Sequence, residues 1–107
     1  MLPVVLSVSA IAWWLLRPVP LPEDKPSLTL YFSMGCKHCV AMLPEWMLMP
    51  SNHKGIVIRS VEAKKISDEY PIKAFPTIIY RTAEGGSMEY TGARDKNSII
   101  EFLDSQL

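Results

Sequence analysis

Cysteine is almost missing from this chain. Its 107 residues contain two cysteines and two histidines. A structural zinc site normally takes four such ligands, so Cys36, His38, Cys39 and His53 would all have to converge. His53 lies in a polar stretch, Ser51 to Gly55, that reads as a turn, so chelation is the minor reading and no metal is expected. Charge of one sign is missing too, because eleven acids balance eleven bases. No basic face or charge run invites nucleic acid, and electrostatic steering of a partner must be local. Internal repeats are absent, and the only biased tract is a short proline segment.

A long apolar run is the next thing the chain falls short of. Residues 2–16 carry no charge, end in Trp13, Trp14, Leu15 and Leu16, and meet Arg17 at once. As a helix they would span about 22 Å, against roughly 30 Å of hydrocarbon. Three interpretations stay open. A single membrane anchor suits the tryptophan pair and the cation beyond it. A cleaved signal peptide suits the short length and Ala10-Ile11-Ala12, although no Lys or Arg precedes the apolar stretch. A buried N-terminal helix packed on the domain is the third. The chain therefore divides into a hydrophobic anchor or signal segment (1–17), a linker (18–27) and one domain (28–107). In the linker, Pro18, Pro20, Pro22 and Pro26 fix torsions and remove donors, so it is expected to be extended and stiff.

What the chain does have is a pair of thiols two residues apart, Cys36 and Cys39, directly after the apolar stretch Leu28 to Phe32. If the first opens a helix, two thiols at that spacing can close a short ring, a redox pair more than a structural staple. The surrounding pattern is strand, helix, strand, short helix, hairpin, helix. Residues 28–32 and 56–61 have the length and composition of strands. Val40, Ala41, Met42, Leu43, Trp46 and Met47 give the first helix its apolar content; Pro44 should kink it and Pro50 ends it. Residues 66–70 make at most a short helix before Pro71. Residues 77–81 and 87–91 flank a loop whose Gly85 and Gly86 permit positive φ, a hairpin signal. Ser98 and Glu101 form a capping box for a last helix that buries Ile99, Ile100, Phe102 and Leu103. Met34, Met42, Met47, Met49 and Met88 are read as helical core, not as a soft metal site. The fold class is α/β, a small mixed β-sheet flanked by helices and preceded by an N-terminal hydrophobic helix.

Four motifs make the chain resemble the thioredoxin superfamily, and within it the catalytic domains of protein disulfide isomerases. Cys36-Lys37-His38-Cys39 is similar to the Cys-x-His-Cys form of the isomerases. Pro44-Glu45-Trp46 falls at the offset of their kink proline, acid and tryptophan. Phe75-Pro76-Thr77 looks like the cis-proline loop that faces the cysteines, and Tyr90-Thr91-Gly92-Ala93-Arg94 resembles the segment entering the final helix. Together they cover nearly all of residues 28–107, in order. The resemblance implies a thioredoxin-like fold and a thiol-disulfide oxidoreductase, enzymatic and without a cofactor. Its partners would be protein thiols and disulfides, and it would act as a monomer. Cys36 and Cys39 would be catalytic; Lys37, His38 and Arg94 would tune the thiolate; Phe75, Pro76 and Thr77 would bind substrate. The expected compartment is oxidising, with the domain membrane-anchored, or secreted if the first segment is removed. Two departures stand out. The family's buried acid, six residues before the first cysteine, is Leu30, and the aromatic just before that cysteine is Gly35. Proton exchange at Cys39 is therefore expected to be slow. A rival class follows, a membrane-tethered binding or chaperone module with weak redox activity.

Residue chemistry supports the redox reading independently. A cysteine at a helix N-terminus meets unpaired N–H groups and the positive end of the dipole, which favour thiolate over thiol. Lys37 and His38 add cationic character nearby. A stabilised thiolate stabilises the reduced pair and makes the disulfide a stronger oxidant.

Overall fold

A computed structural model describes residues 20–62 and 72–107. The expected N-terminal hydrophobic helix and the short helix at 66–70 lie outside these residues. Among the described residues no helix is long and apolar enough to cross a membrane.

Among the described residues seven elements follow one another: β1 (Ser27–Phe32), α1 (Lys37–Trp46), β2 (Asn52–His53), β3 (Ile56–Glu62), β4 (Thr77–Arg81), β5 (Ser87–Glu89) and α2 (Lys96–Ser105). The five strands form one mixed sheet in the order β2-β3-β1-β4-β5. β1 lies at its centre, parallel to β3 with Leu30 opposite Ser60, and antiparallel to β4 with Leu30 opposite Ile78. A central strand is covered on both faces, which is why all six β1 residues are buried, the polar Ser27 and Thr29 among them. It begins at Ser27, one residue earlier than expected, because Ser27 still pairs with Val57 and Arg81.

Alternation along the strands sorts the core. Leu28, Leu30 and Phe32 join Ile56, Ile58, Ile78 and Tyr80 on the face covered by Cys39, Met42 and Trp46 of α1 and by Ile99 and Leu103 of α2. Tyr31, Val61 and Ile79 point the other way, packed by Ile72 and Phe75. On that second face the buried Arg59 donates to Thr29 Oγ1 at 2.9 Å.

Several local expectations are corrected. Residues Ser51 to Gly55 are not a plain turn: Asn52 and His53 are strand β2, and Lys54 (φ 52°) and Gly55 (φ 93°) form the two-residue connection to β3. Positive φ at both central positions matches the right-handed twist of the flanking strands. α2 starts at Lys96, not at Ser98. Its cap is Asp95, whose carboxylate accepts the Ser98 N–H at 3.0 Å and the Ser98 hydroxyl at 2.8 Å, while Glu45 of α1 accepts the Lys96 N–H that the earlier start leaves free. In α1, Val40 and Ala41 face solvent and the buried stripe is Cys39, Met42 and Trp46. Met34 and Met88 are exposed and lie outside the helices, so only Met42 of the five methionines is buried. In the β4–β5 hairpin Gly85 alone takes positive φ.

Candidate functional site

The C-terminal end of β1 delivers the chain into a tight turn. Cys36 N–H donates to the Ser33 carbonyl at 3.0 Å, and Gly35 N–H donates to Ser33 Oγ at 3.3 Å. The turn leaves Cys36 as the N-cap of α1, with φ −93° and ψ 119°, rather than as its first helical residue. Its sulfur takes the place usually held by a Ser or Asp oxygen: Sγ accepts the Cys39 N–H at 3.2 Å. An orphan donor of the first turn is thereby aimed at the sulfur, and anionic sulfur accepts more strongly than a neutral thiol.

The two thiols are pushed in opposite directions. Cys36 is held below the ordinary thiol value by a hydrogen bond from the Cys39 thiol, opposed by desolvation and helped by the N–H groups of Cys39 and His38 and the charge of Arg94. Cys39 is fully buried and pushed up to about 11, first by burial and then by donating to Cys36. Ser33 N–H, 3.5 Å from Cys39 Sγ, works against that rise, as does Arg94. One acidic, half-exposed sulfur therefore sits against one buried sulfur that keeps its proton.

Across from the pair, the Phe75–Pro76 peptide is cis, and the Phe75 carbonyl lies 3.6 Å from Cys36 Sγ. Phe75 and Pro76 are half-buried at this edge. Thr77 is not part of the open edge: it is buried as the first residue of β4, and its hydroxyl donates to the Ala74 carbonyl at 2.6 Å. Lys37 is exposed at the first helical position. His38 acts on Cys36 through its backbone N–H, while the residue lines a cleft of about 360 Å³ with Ala41, Met42, Glu45, Arg94 and Asp95. Arg94 is exposed and also lines a second cleft with Pro76, Ile78 and Tyr90.

Some contributors escaped the reading of the sequence. Ser33 supplies both its carbonyl and its N–H to the two cysteines, and the only hint was a Ser two residues before a Gly, the signature of a hydroxyl-closed turn. Glu45 ties the helices together by accepting the Lys96 N–H at 2.8 Å. Trp46 is core, as expected, with Nε1 donating to Ser60 Oγ at 3.3 Å. Leu30, fully buried, shares the Cys39 cluster and offers no proton acceptor there. Among the described residues no three His, Cys, Asp or Glu side chains gather to hold a metal.

Comparison with known proteins agrees with this architecture. The thioredoxin family model matches residues 19–105. Protein disulfide-isomerase like 2-2 of Arabidopsis thaliana is 33% identical over 84 residues, covering 75% of this chain and 19% of that protein. The protein disulfide-isomerase of Triticum aestivum is 29% identical over 90 residues, covering 75% and 18%. The chain thus spans about a fifth of the length of these relatives. Among solved structures, the J-Trx1 fragment of ERdj5 superposes with a TM-score of 0.68 at 17% identity, covering 94% of this chain and 49% of that one. The first two thioredoxin domains of Naumovozyma dairenensis Eps1p give 0.68 at 25% identity, covering 80% and 39%. With the sheet order, the capping cysteine and the cis-proline loop already in place, the match over almost the whole length means that this chain belongs to the thioredoxin family.

Proposed function

We propose that the protein is a thiol-disulfide oxidoreductase acting on protein thiols and disulfides, with isomerase and oxidase character. The observation that carries this reading is the opposed pair, Cys36 accepting donors at the start of α1 and Cys39 buried beside it and pushed up to about 11. Cys36 thiolate attacks one sulfur of a substrate disulfide; a Cys36–substrate bond forms and the other substrate sulfur leaves as thiolate. Cys39 then gives up its proton and attacks Cys36 Sγ, forming the Cys36–Cys39 disulfide and releasing the second substrate thiolate. The substrate gains two electrons and the protein loses two. In reverse, the same steps place a disulfide in the substrate.

Phe75 and Pro76 would border the bound chain, with Arg94, Lys37 and His38 adding positive charge around the thiolate. The exchange would run in an oxidising compartment, with the uncharged segment 2–16 as a membrane anchor or a removed leader. Protease protection in intact membranes separates these topologies. Trapping with Cys39→Ala tests the reaction itself: mixed disulfides with substrate proteins should accumulate on Cys36, and insulin should be reduced by the unaltered chain but not by Cys36→Ala.

A second reading, a binding module with weak redox activity, is favoured by one observation. Met34 and Val40 flank Cys36 in sequence at 52% and 45% exposure, large apolar side chains left in water near the thiol. Partner capture unchanged in a variant lacking both cysteines would favour it over the exchange reaction.

A further inference from the structure

The segment between β5 and α2 is built around one tyrosine. Tyr90 N–H donates to the Ile78 carbonyl at 2.8 Å, so the residue stays tied to β4 after the strand ends. Its ring packs on Phe102 with centroids 4.9 Å apart, and Phe102 meets Tyr80 edge to face at 5.9 Å. The hydroxyl then turns back over three residues and donates to the Ala93 carbonyl. Gly92 lies inside the closed ring: a Cβ there would stand 2.7 Å from the hydroxyl oxygen and 2.9 Å from the carbon bearing it, so only glycine leaves room for the bond.

Arg94 follows directly. On its far side the chain is pinned again, because Asp95 caps α2 and Glu45 of α1 accepts the Lys96 N–H. The Arg94 guanidinium itself makes no hydrogen bond or ion pair among the described residues, so what the fold fixes is the backbone from which this side chain starts. From there it lines both the cleft that holds His38, two residues from Cys36, and the cleft that holds Pro76, next to the Phe75 carbonyl that faces Cys36. The other charged groups near Cys36 are Lys37 and His38 on its own helix; across the cleft Glu45 and Asp95 are already engaged by the start of α2.

We propose that Tyr90 is a positioning residue: its hydroxyl bond to Ala93, made possible by Gly92, fixes the backbone from which Arg94 reaches the Cys36–Cys39 pair. The inference rests on the reading of that pair as a reactive one. Burial, then Asp95 and Glu101, raise the Tyr90 pKa, so the phenol keeps the proton it donates.

The test is a two-by-two set of full-length reduced proteins: unaltered, Tyr90→Phe, Arg94→Gln and the double variant. Iodoacetamide labelling of Cys36 is followed by mass spectrometry from pH 4 to pH 9, with thermal unfolding alongside. Tyr90→Phe keeps the ring on Phe102, so only the hydroxyl bond is lost. Labelling on the acid side of the Cys36 titration should slow about threefold in Tyr90→Phe and in Arg94→Gln, and the double variant should be no slower than Arg94→Gln. A Tyr90→Phe curve superimposed on the unaltered one overturns the proposal. So does an equal loss from Tyr90→Phe with and without Arg94, which marks a purely structural effect; that comparison decides even if Tyr90→Phe lowers the melting temperature. A chain that shows the predicted coupling yet exchanges no protein disulfides refutes the proposed reaction and leaves the Tyr90 latch standing.

Discussion

Release of a mixed disulfide should be limited by the proton on Cys39, and both pH and one substitution should expose that limit. Cys39 is pushed up to about 11 with Cys36 beside it as acceptor. Once Cys36 is bonded to substrate, the two contributions from its thiolate vanish. Burial remains, opposed by Ser33 N–H and Arg94, so the resolving thiol should titrate between the ordinary 9.0 and about 11. At pH 7 the attacking thiolate is then between about 1 in 10² and 1 in 10⁴ of the population. Because a raised pKa depletes thiolate at neutral pH, the resolving rate should climb about tenfold from pH 7 to 8 and about 50- to 100-fold from pH 7 to 9. Leu30→Glu places a carboxyl in the cluster that holds Cys39. Burial will raise the pKa of that carboxyl toward neutral pH, and the fraction still ionised can take the Cys39 proton. A positioned base is worth at least about 10²-fold in favourable cases, so a tenfold gain at pH 7 and a flatter pH slope are a conservative expectation. The change also removes a fully buried leucine and buries an acid, at about 3–5 kcal/mol, so urea unfolding must first establish that the variant is folded. The assay loads Cys36 with thionitrobenzoate and follows its release by absorbance in stopped flow. A rate that does not change between pH 7 and 9 in the unaltered chain, or a folded Leu30→Glu variant no faster at pH 7, refutes the reasoning.

Other outcomes follow from the same structure. Equilibration against glutathione buffers should give a potential above the roughly −270 mV of thioredoxin, since the donors on Cys36 stabilise the reduced pair; a value at or below it contradicts that account. Asp104, in the last turn of α2, is held below 3.8 by hydrogen bonds from His53 and then Lys54, which join the β2–β3 turn to the helix. Its folded pKa is depressed, so this stabilisation is present above the unfolded value and is lost as pH falls through the folded one. Urea midpoints of Asp104→Asn should therefore lie below those of the unaltered chain at pH 6 and converge with them in acid. Leu103→Ala should cost about 2–5 kcal/mol because Leu103 is fully buried, whereas Leu107→Ala, at 62% exposure, should fall within about 0.5 kcal/mol; equal midpoint shifts would contradict the packing.

Much of the fold could be read along the chain because it depends on local periodicity and on special residues. The large apolar residues of β1, the glycine loop before β5 and the cysteine spacing at the head of α1 each carry their cause within a few positions. The strand β2 could not be read that way. Two polar residues form a strand only because the backbone edge of β3 is there to receive them. The cap of α2 was misplaced for a related reason: Asp95 and Ser98 both have capping chemistry, and the outcome was decided where Glu45, fifty-one positions away, takes the Lys96 N–H.

By itself the sequence determined which atoms could do chemistry, two thiols at a spacing that fits one helical turn, and, set beside the family it resembles, that Leu30 stands where an acid is usual. Only the tertiary structure decided how unlike the two thiols are. One half-exposed sulfur caps a helix while the other is buried in the core, and proton affinity depends on desolvation, on the Ser33 N–H and on the charge of Arg94, contributed from separate parts of the chain. Spacing along the chain carries no information about water, and exclusion of water is what makes Cys39 hold its proton.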